Sequence, residues 1–122
     1  MNNQKIMICD DDSGILEVLE MMLEMEGFSV STEKNSTNLL KEIAIVKPDL
    51  LLMDLWMPVL SGDQLLKTIR TTTEFQKLPV IIFSASVDGS EIAKNAGADD
   101  FIAKPFDMDN VVDTIRKVLN SK

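Results

Sequence analysis

The chain has 122 residues, 45% of them hydrophobic, and its 20 acidic and 12 basic side chains give a formal charge of −8. This length supports a single hydrophobic core, so we expect one domain over 1–122, and the acidic balance disfavours direct nucleic-acid binding. No apolar run approaches the roughly 20 residues of a membrane helix and the N-terminus does not resemble a signal peptide, which predicts a cytoplasmic protein without membrane insertion.

Five short apolar runs recur along the chain and are mostly continuous rather than alternating. Continuous runs of this length are typical of strands buried on both faces of a sheet. The predicted strands are 5–9 (KIMIC), 28–32 (FSVST), 49–53 (DLLLM), 79–83 (PVIIF) and 100–103 (DFIA).

A segment with helical spacing of apolar residues follows each predicted strand. The first helix shows an apolar stripe and stops at Gly27, and the fifth opens at Asp107 as its N-cap. The stripe of the first helix consists of Ile15, Val18, Leu19, Met22 and Leu23. The other helices are expected at about 36–46, around 65–69 and at about 90–95, the last ending at Gly97.

Strands that alternate with helices predict an α/β fold with a parallel sheet and helices on both faces. For five such units the common doubly wound, flavodoxin-like strand order is 2-1-3-4-5, which places a ligand crevice at the carboxyl ends of strands one and three. Asp10, Asp11 and Asp12 follow strand one, and Asp54 follows strand three. The fold therefore predicts that these carboxylates converge.

The converging carboxylates would repel one another unless a cation is bound. With one cysteine and no histidine in the chain, a Cys/His metal site and an imidazole base are both excluded. Mg²⁺ is the natural solution, because it prefers carboxylate oxygens. The cluster of Asp10, Asp11, Asp12 and Asp54 supplies such oxygens, although for Asp12 capping of the first helix is the better interpretation.

Two further groups end the neighbouring strands: Ser84 offers a hydroxyl after strand four, and Lys104 an ammonium after strand five. A metal on one side with a lysine and a hydroxyl on the other is a recurring arrangement for phosphoryl transfer. A central aspartate could then act as the nucleophile.

These pieces together resemble the response-regulator receiver domain of two-component signalling over nearly the whole chain. The segments that carry the resemblance are IMICDDD, LLMDLWMP with Gly62 after it, FSAS and AGADDFIAKPF. The resemblance implies that Asp54 is the phosphoacceptor and that Asp10 and Asp11 form the acidic metal-binding pair. It also implies that Asp54 and the main-chain carbonyl of Trp56 complete the protein ligands of Mg²⁺.

The resemblance assigns the remaining residues to the response to phosphorylation. Ser84 would hydrogen-bond the phosphoryl group and Lys104 would pair with it, and the Lys104 to Pro105 peptide would be cis. Phe101 occupies the aromatic position that turns inward when the hydroxyl residue moves. The chain departs from the family in a shorter separation between Ser84 and Lys104, so the fourth helix should be shortened or shifted.

The function that follows is a phosphoacceptor switch. Its partners would be a sensor histidine kinase or phosphotransfer protein and a downstream target protein, and because the last predicted helix ends at Leu119, no output domain is expected. One alternative is a receiver fold used as an interaction module without phosphorylation. Another is a haloacid-dehalogenase-like phosphatase, in which Asp10 and Asp12 would form the D-x-D motif with Asp10 as nucleophile.

Overall fold

The computed structural model of the protein describes residues 4–121, in which strands and helices alternate along the chain. The strands are β1 (Lys5–Cys9), β2 (Ser29–Glu33), β3 (Leu50–Asp54), β4 (Val80–Ser84) and β5 (Asp100–Ala103). The helices are α1 (Ser13–Met25), α2 (Leu39–Val46), α3 (Gly62–Thr71), α4 (Gly89–Ala96) and α5 (Met108–Asn120), with a 3₁₀ turn (Ser36–Asn38) before α2. The predicted α/β class is confirmed.

The five strands form one parallel sheet in the order β2-β1-β3-β4-β5, which confirms the predicted doubly wound topology. The central strands β3 and β4 are buried along their whole length, whereas the edge strands β2 and β5 are partly exposed. The strand order reverses between β1 and β3, and a reversal of this kind opens a crevice at the carboxyl ends of the two strands.

Helices cover both faces of the sheet, as the pattern predicts. On one face α1 and α5 pack against strand residues that include Ile8, Leu52 and Phe83. On the other face α2, α3 and α4 pack against the alternate strand residues, including Cys9 and Met53. Successive strand residues thus point to opposite cores, which explains why the strand sequences are continuously apolar.

Strand ends differ by one residue from the prediction at three places. β2, β3 and β4 each begin and end one position later than expected, so that Asp54 and Ser84 are the last residues of their strands and pair with Phe83 and Ala103. A polar side chain does not prevent its backbone from joining the ladder, since pairing uses only N–H and C=O groups.

The predicted helix caps are confirmed. The Asp12 carboxylate accepts hydrogen bonds from the backbone N–H groups of Gly14 and Ile15 at the start of α1, and Asp107 accepts one from Asn110 at the start of α5. α4 is only eight residues long and is followed by its C-cap Gly97, which has a φ of 102°. Among the helices that the structure describes, none has the length and apolar character to cross a membrane.

Candidate functional site

The carboxyl ends of β1, β3, β4 and β5 bring polar side chains together at one edge of the sheet. Asp10 directly follows β1, Asp54 ends β3, Ser84 ends β4 and Lys104 directly follows β5. Asp10, Asp54 and Ser84 are almost completely buried, with 1%, 6% and 1% of their surface exposed. Buried polar groups at the end of a parallel sheet mark the crevice as the candidate site.

Three carboxylates form the acidic part of this site. Ligand oxygens of Asp10, Asp11 and Asp54 all lie within 4.8 Å of one another, and of these residues only Asp11 is exposed. A backbone group also contacts this cluster. The N–H of Asp12 donates a hydrogen bond to Oδ1 of Asp10 at 2.9 Å. The predicted convergence of strand-one and strand-three carboxylates is therefore observed.

Lys104 provides the positive charge that faces these carboxylates. Its Nζ lies 3.4 Å from Oδ2 of Asp10 and 3.2 Å from Oδ1 of Asp54. The ammonium also lies 4.7 Å from the centre of the Phe83 ring, a cation–π contact, and the Lys104 backbone N–H donates to the carbonyl of Ser84 at 2.9 Å. Lys104 is thus held from three sides with its charge directed at both buried aspartates.

One lysine does not compensate for the burial of two carboxylates. Burial raises the pKa of Asp10 to about 6; the charge of Asp54 adds to this, while the N–H of Asp12 and the ammonium of Lys104 oppose it. Burial likewise raises the pKa of Asp54, against the lowering effect of Lys104. The site carries unbalanced negative charge on hard oxygen donors, which is the donor set that Mg²⁺ prefers, so these residues fit the metal.

The remaining predicted residues surround this centre. The Ser84 hydroxyl accepts a hydrogen bond from the N–H of Ser86 at 3.1 Å, and Trp56 lies in the loop after β3 with 53% of its surface exposed. Phe101 is half-buried on β5, with its ring against Gly89 at the start of α4; a Cβ added at Gly89 would lie 3.1 Å from two ring carbons. The Lys104 to Pro105 peptide is cis.

Two contacts were not predicted: one lies in the site, and the other lies at the opposite edge of the sheet, before β4 and β5. Phe83 was recognised only as a strand residue, although its ring supports the Lys104 ammonium. Arg70 was not singled out, yet its guanidinium donates to the carbonyls of Leu78 (2.6 Å) and Gly97 (2.9 Å) and pairs with Asp99 at 3.0 Å, which ties α3 to the end of α4. No spacing along the chain signals either contact.

Known proteins are similar to this chain in both sequence and fold. The response regulator receiver domain family matches residues 6–116. The chain is 32% identical over 124 residues to the transcriptional regulatory protein PrrA of Mycobacterium leprae, covering 100% of this chain and 52% of PrrA. It is 37% identical over 117 residues to the DNA-binding transcriptional regulator NtrC of Escherichia coli, covering 94% of this chain and 24% of NtrC. The chain therefore spans about half or less of these relatives.

A solved structure extends the similarity to three dimensions. The crystal structure of a CheY-like response regulator receiver domain protein from Methanospirillum hungatei JF-1 superposes with a TM-score of 0.89 at 28% identity, over 98% of this chain and 96% of that one. The family match, the strand order and the buried acidic site agree, and the chain belongs to the response regulator receiver domains of two-component signalling.

Proposed function

We propose that this receiver domain is a phosphoacceptor switch in which Asp54 takes up a phosphoryl group in a Mg²⁺-dependent reaction. The observation that carries the proposal is the position of the Asp54 carboxylate. It is buried at the end of β3, within 4.8 Å of the ligand oxygens of Asp10 and Asp11 and 3.2 Å from the Lys104 ammonium. A carboxylate so placed has both acidic partners for a metal and a cation for an incoming phosphate.

The metal would be held by the carboxylates of Asp10, Asp11 and Asp54, with the main-chain carbonyl of Trp56 as a further protein ligand. When bound, Mg²⁺ would supply the positive charge that lets an anionic phosphoryl group enter an acidic crevice. Asp12 has another role, because its carboxylate caps α1.

In the proposed reaction an Asp54 carboxylate oxygen attacks the phosphorus of a phosphohistidine on a partner protein. The new P–O bond forms as the P–N bond breaks, and the imidazole leaves with the electron pair of that bond. Lys104 then pairs with the phosphoryl oxygens, and Ser84 hydrogen-bonds them from the adjacent strand end. Water later hydrolyses the acyl phosphate and resets the switch, so the domain catalyses only its own phosphorylation and dephosphorylation.

The added charge would shift the domain between two states. Movement of Ser84 toward the phosphoryl group would leave room for Phe101 to turn inward from its present position against Gly89. This would change the surface around α4 that a downstream protein meets.

The partners we propose are a sensor histidine kinase or phosphotransfer protein and a downstream target, in the cytoplasm. NtrC is named as a DNA-binding regulator, but the chain matches only 24% of its length. The chain itself carries a charge of −8, so we propose no direct nucleic-acid contact by this domain.

The phosphatase alternative has less support. Its D-x-D motif would need the Asp12 carboxylate in the site, but that carboxylate accepts hydrogen bonds from Gly14 and Ile15. The alternative of an interaction module that is not phosphorylated is separated from the proposal by experiment.

Intact-protein mass after incubation with acetyl phosphate tests the proposal. We expect the mass of one phosphoryl group to be added in Mg²⁺ but not in EDTA, and no addition to an Asp54→Asn variant. A folded wild-type protein that gains no mass would make the unphosphorylated interaction module the better account.

A further inference from the structure

The loop between β3 and α3, residues 55–61, contains a strained turn beside the proposed metal site. The N–H of Leu60 donates to the carbonyl of Pro58 at 2.9 Å, which closes a three-residue turn around Val59, and Val59 has a φ of 72°. A turn of this kind with a positive φ at its centre is rare, and a β-branched residue adopts such a φ only under strain. Val59 is 80% exposed, so packing of its side chain does not hold the turn.

The contact that holds the turn comes from a distant segment. The Ser36 hydroxyl donates to the same Pro58 carbonyl at 2.8 Å. Ser36 opens the 3₁₀ turn before α2, and only 4% of its surface is exposed. Strained backbone persists only where the surrounding structure determines it, and here a buried hydroxyl supplies that constraint.

Ser36 is unusual among the described residues. Four of them have buried polar side chains: Asp10, Asp54, Ser84 and Ser36. The first three belong to the site at the end of the sheet. Ser36 does not lie at one of the strand ends that form this site. Its hydroxyl contacts the loop that follows Asp54.

Two other anchors hold the same loop. Met57 is buried, with its Sδ 3.6 Å from Sγ of Cys9, and the N–H of Gly62 donates to the carbonyl of Leu55 at 2.7 Å. Trp56 lies between the Leu55 and Met57 anchors, two residues before the carbonyl that Ser36 binds. The direction of the Trp56 carbonyl therefore depends on how the loop is fixed on both sides.

We propose that Ser36 is a positioning residue for the metal site, which holds the strained turn at Val59 and thereby fixes the backbone around Trp56, whose carbonyl the proposed function takes as a metal ligand. This inference rests on the proposed function only in taking the Trp56 carbonyl as a metal ligand. Ser36 does not touch the reacting atoms. Loss of its hydroxyl should weaken Mg²⁺ binding, whereas phosphorylation at saturating Mg²⁺ should remain as fast as in the wild type.

The test is a titration with MgCl₂ of the folded protein, followed by the fluorescence of Trp56, the only tryptophan of the chain. For Ser36→Ala we expect a midpoint about two- to tenfold higher than wild type, the range of a single hydrogen bond. Thr37→Ala is the matched control, because it deletes a hydroxyl in the same turn whose hydrogen bond, within residues 4–121, is to Asn35 at 2.7 Å. This variant should titrate like the wild type.

A second substitution separates positioning from a general loss of stability. Glycine adopts a positive φ without strain, so Val59→Gly in the Ser36→Ala background should return the midpoint toward the wild-type value. Equal midpoints for wild type and Ser36→Ala, an equal shift in Thr37→Ala, or no recovery with Val59→Gly would each overturn the inference. If the wild type itself shows no response to MgCl₂ by fluorescence or by thermal stability, the proposed metal site fails instead.

Discussion

Replacing Asp10 with asparagine should stabilise the metal-free protein at neutral pH. Asp10 is 1% exposed, and its pKa is raised from 3.8 to about 6, mainly by burial. A raised pKa means that the folded state binds the proton more tightly than the unfolded state. The contribution of Asp10 is therefore favourable below pH 3.8, and it is lost as the pH rises through about 6.

The pKa difference sets the size of the effect. A shift from 3.8 to about 6 corresponds to about 3 kcal/mol of destabilisation once Asp10 is charged in the folded state. This value already includes the attraction of Lys104. Asparagine has nearly the same shape, carries no charge and keeps an oxygen that can accept the Asp12 N–H. The variant should thus match the wild type near pH 4 and exceed its free energy of unfolding by about 3 kcal/mol at pH 7.5.

The measurement is urea unfolding followed by circular dichroism in EDTA, from pH 4 to pH 8. Asp113→Asn is the charge-matched control on the exposed face of α5, and we expect it to stay within about 0.5 kcal/mol of the wild type. Saturating MgCl₂ should then stabilise the wild type and leave Asp10→Asn unchanged. An Asp10→Asn protein that is no more stable than wild type at pH 7.5 in EDTA would refute the argument from buried charge.

Three further predictions address the lysine, the tryptophan and the arginine. Lys104→Met should lower the free energy of unfolding by about 3 kcal/mol in EDTA, because it leaves two buried carboxylates without a cation, and by less in MgCl₂; equal losses in both would contradict this. Trp56→Asn should shorten the lifetime of the phosphorylated protein, because a bulky indole beside the site would slow the attacking water; an unchanged rate of phosphate release would count against this role. Arg70→Ala should lower the free energy of unfolding in urea by about 2 to 4 kcal/mol, because several carbonyls lose their hydrogen-bond donor. The control Arg116→Ala breaks an exposed ion pair and should lower it by less than about 1 kcal/mol. Similar losses for the two arginines would show that the Arg70 contacts add little.

The convergence of residues at the ends of different strands could be predicted from the sequence, because the topology places these strand ends at one edge of the sheet. Asp10 and Lys104 are 94 positions apart, yet both follow strands of one parallel sheet and so must meet at the same edge. Continuous apolar runs identified the strands, and the alternation with helices predicted a parallel sheet, for which 2-1-3-4-5 is the common order of five strands. Among the strands, only the bounds of β2, β3 and β4 were wrong, by one residue. β3 and β4 end later than predicted because backbone pairing continues through the polar residues Asp54 and Ser84.

Contacts between loops and helices could not be predicted in this way. Ser36 and Pro58 are 22 positions apart in segments whose relative position depends on how α2 packs. Arg70 reaches the Gly97 carbonyl across 27 positions for a similar reason. In the sequence, a single serine or arginine is typical of an ordinary polar surface residue. Only the packed structure shows which carbonyls accept its hydrogen bonds.

The most direct test of the account is chemical identification of the phosphorylated residue. The protein is incubated with acetyl phosphate and MgCl₂ and reduced with borohydride, which converts an aspartyl phosphate to homoserine, and the peptides are then sequenced by tandem mass spectrometry. The account predicts homoserine at position 54 and at no other aspartate, and none when EDTA replaces MgCl₂. Homoserine at Asp10 or Asp11 in place of Asp54, or an unmodified Asp54 in the folded protein, would contradict it.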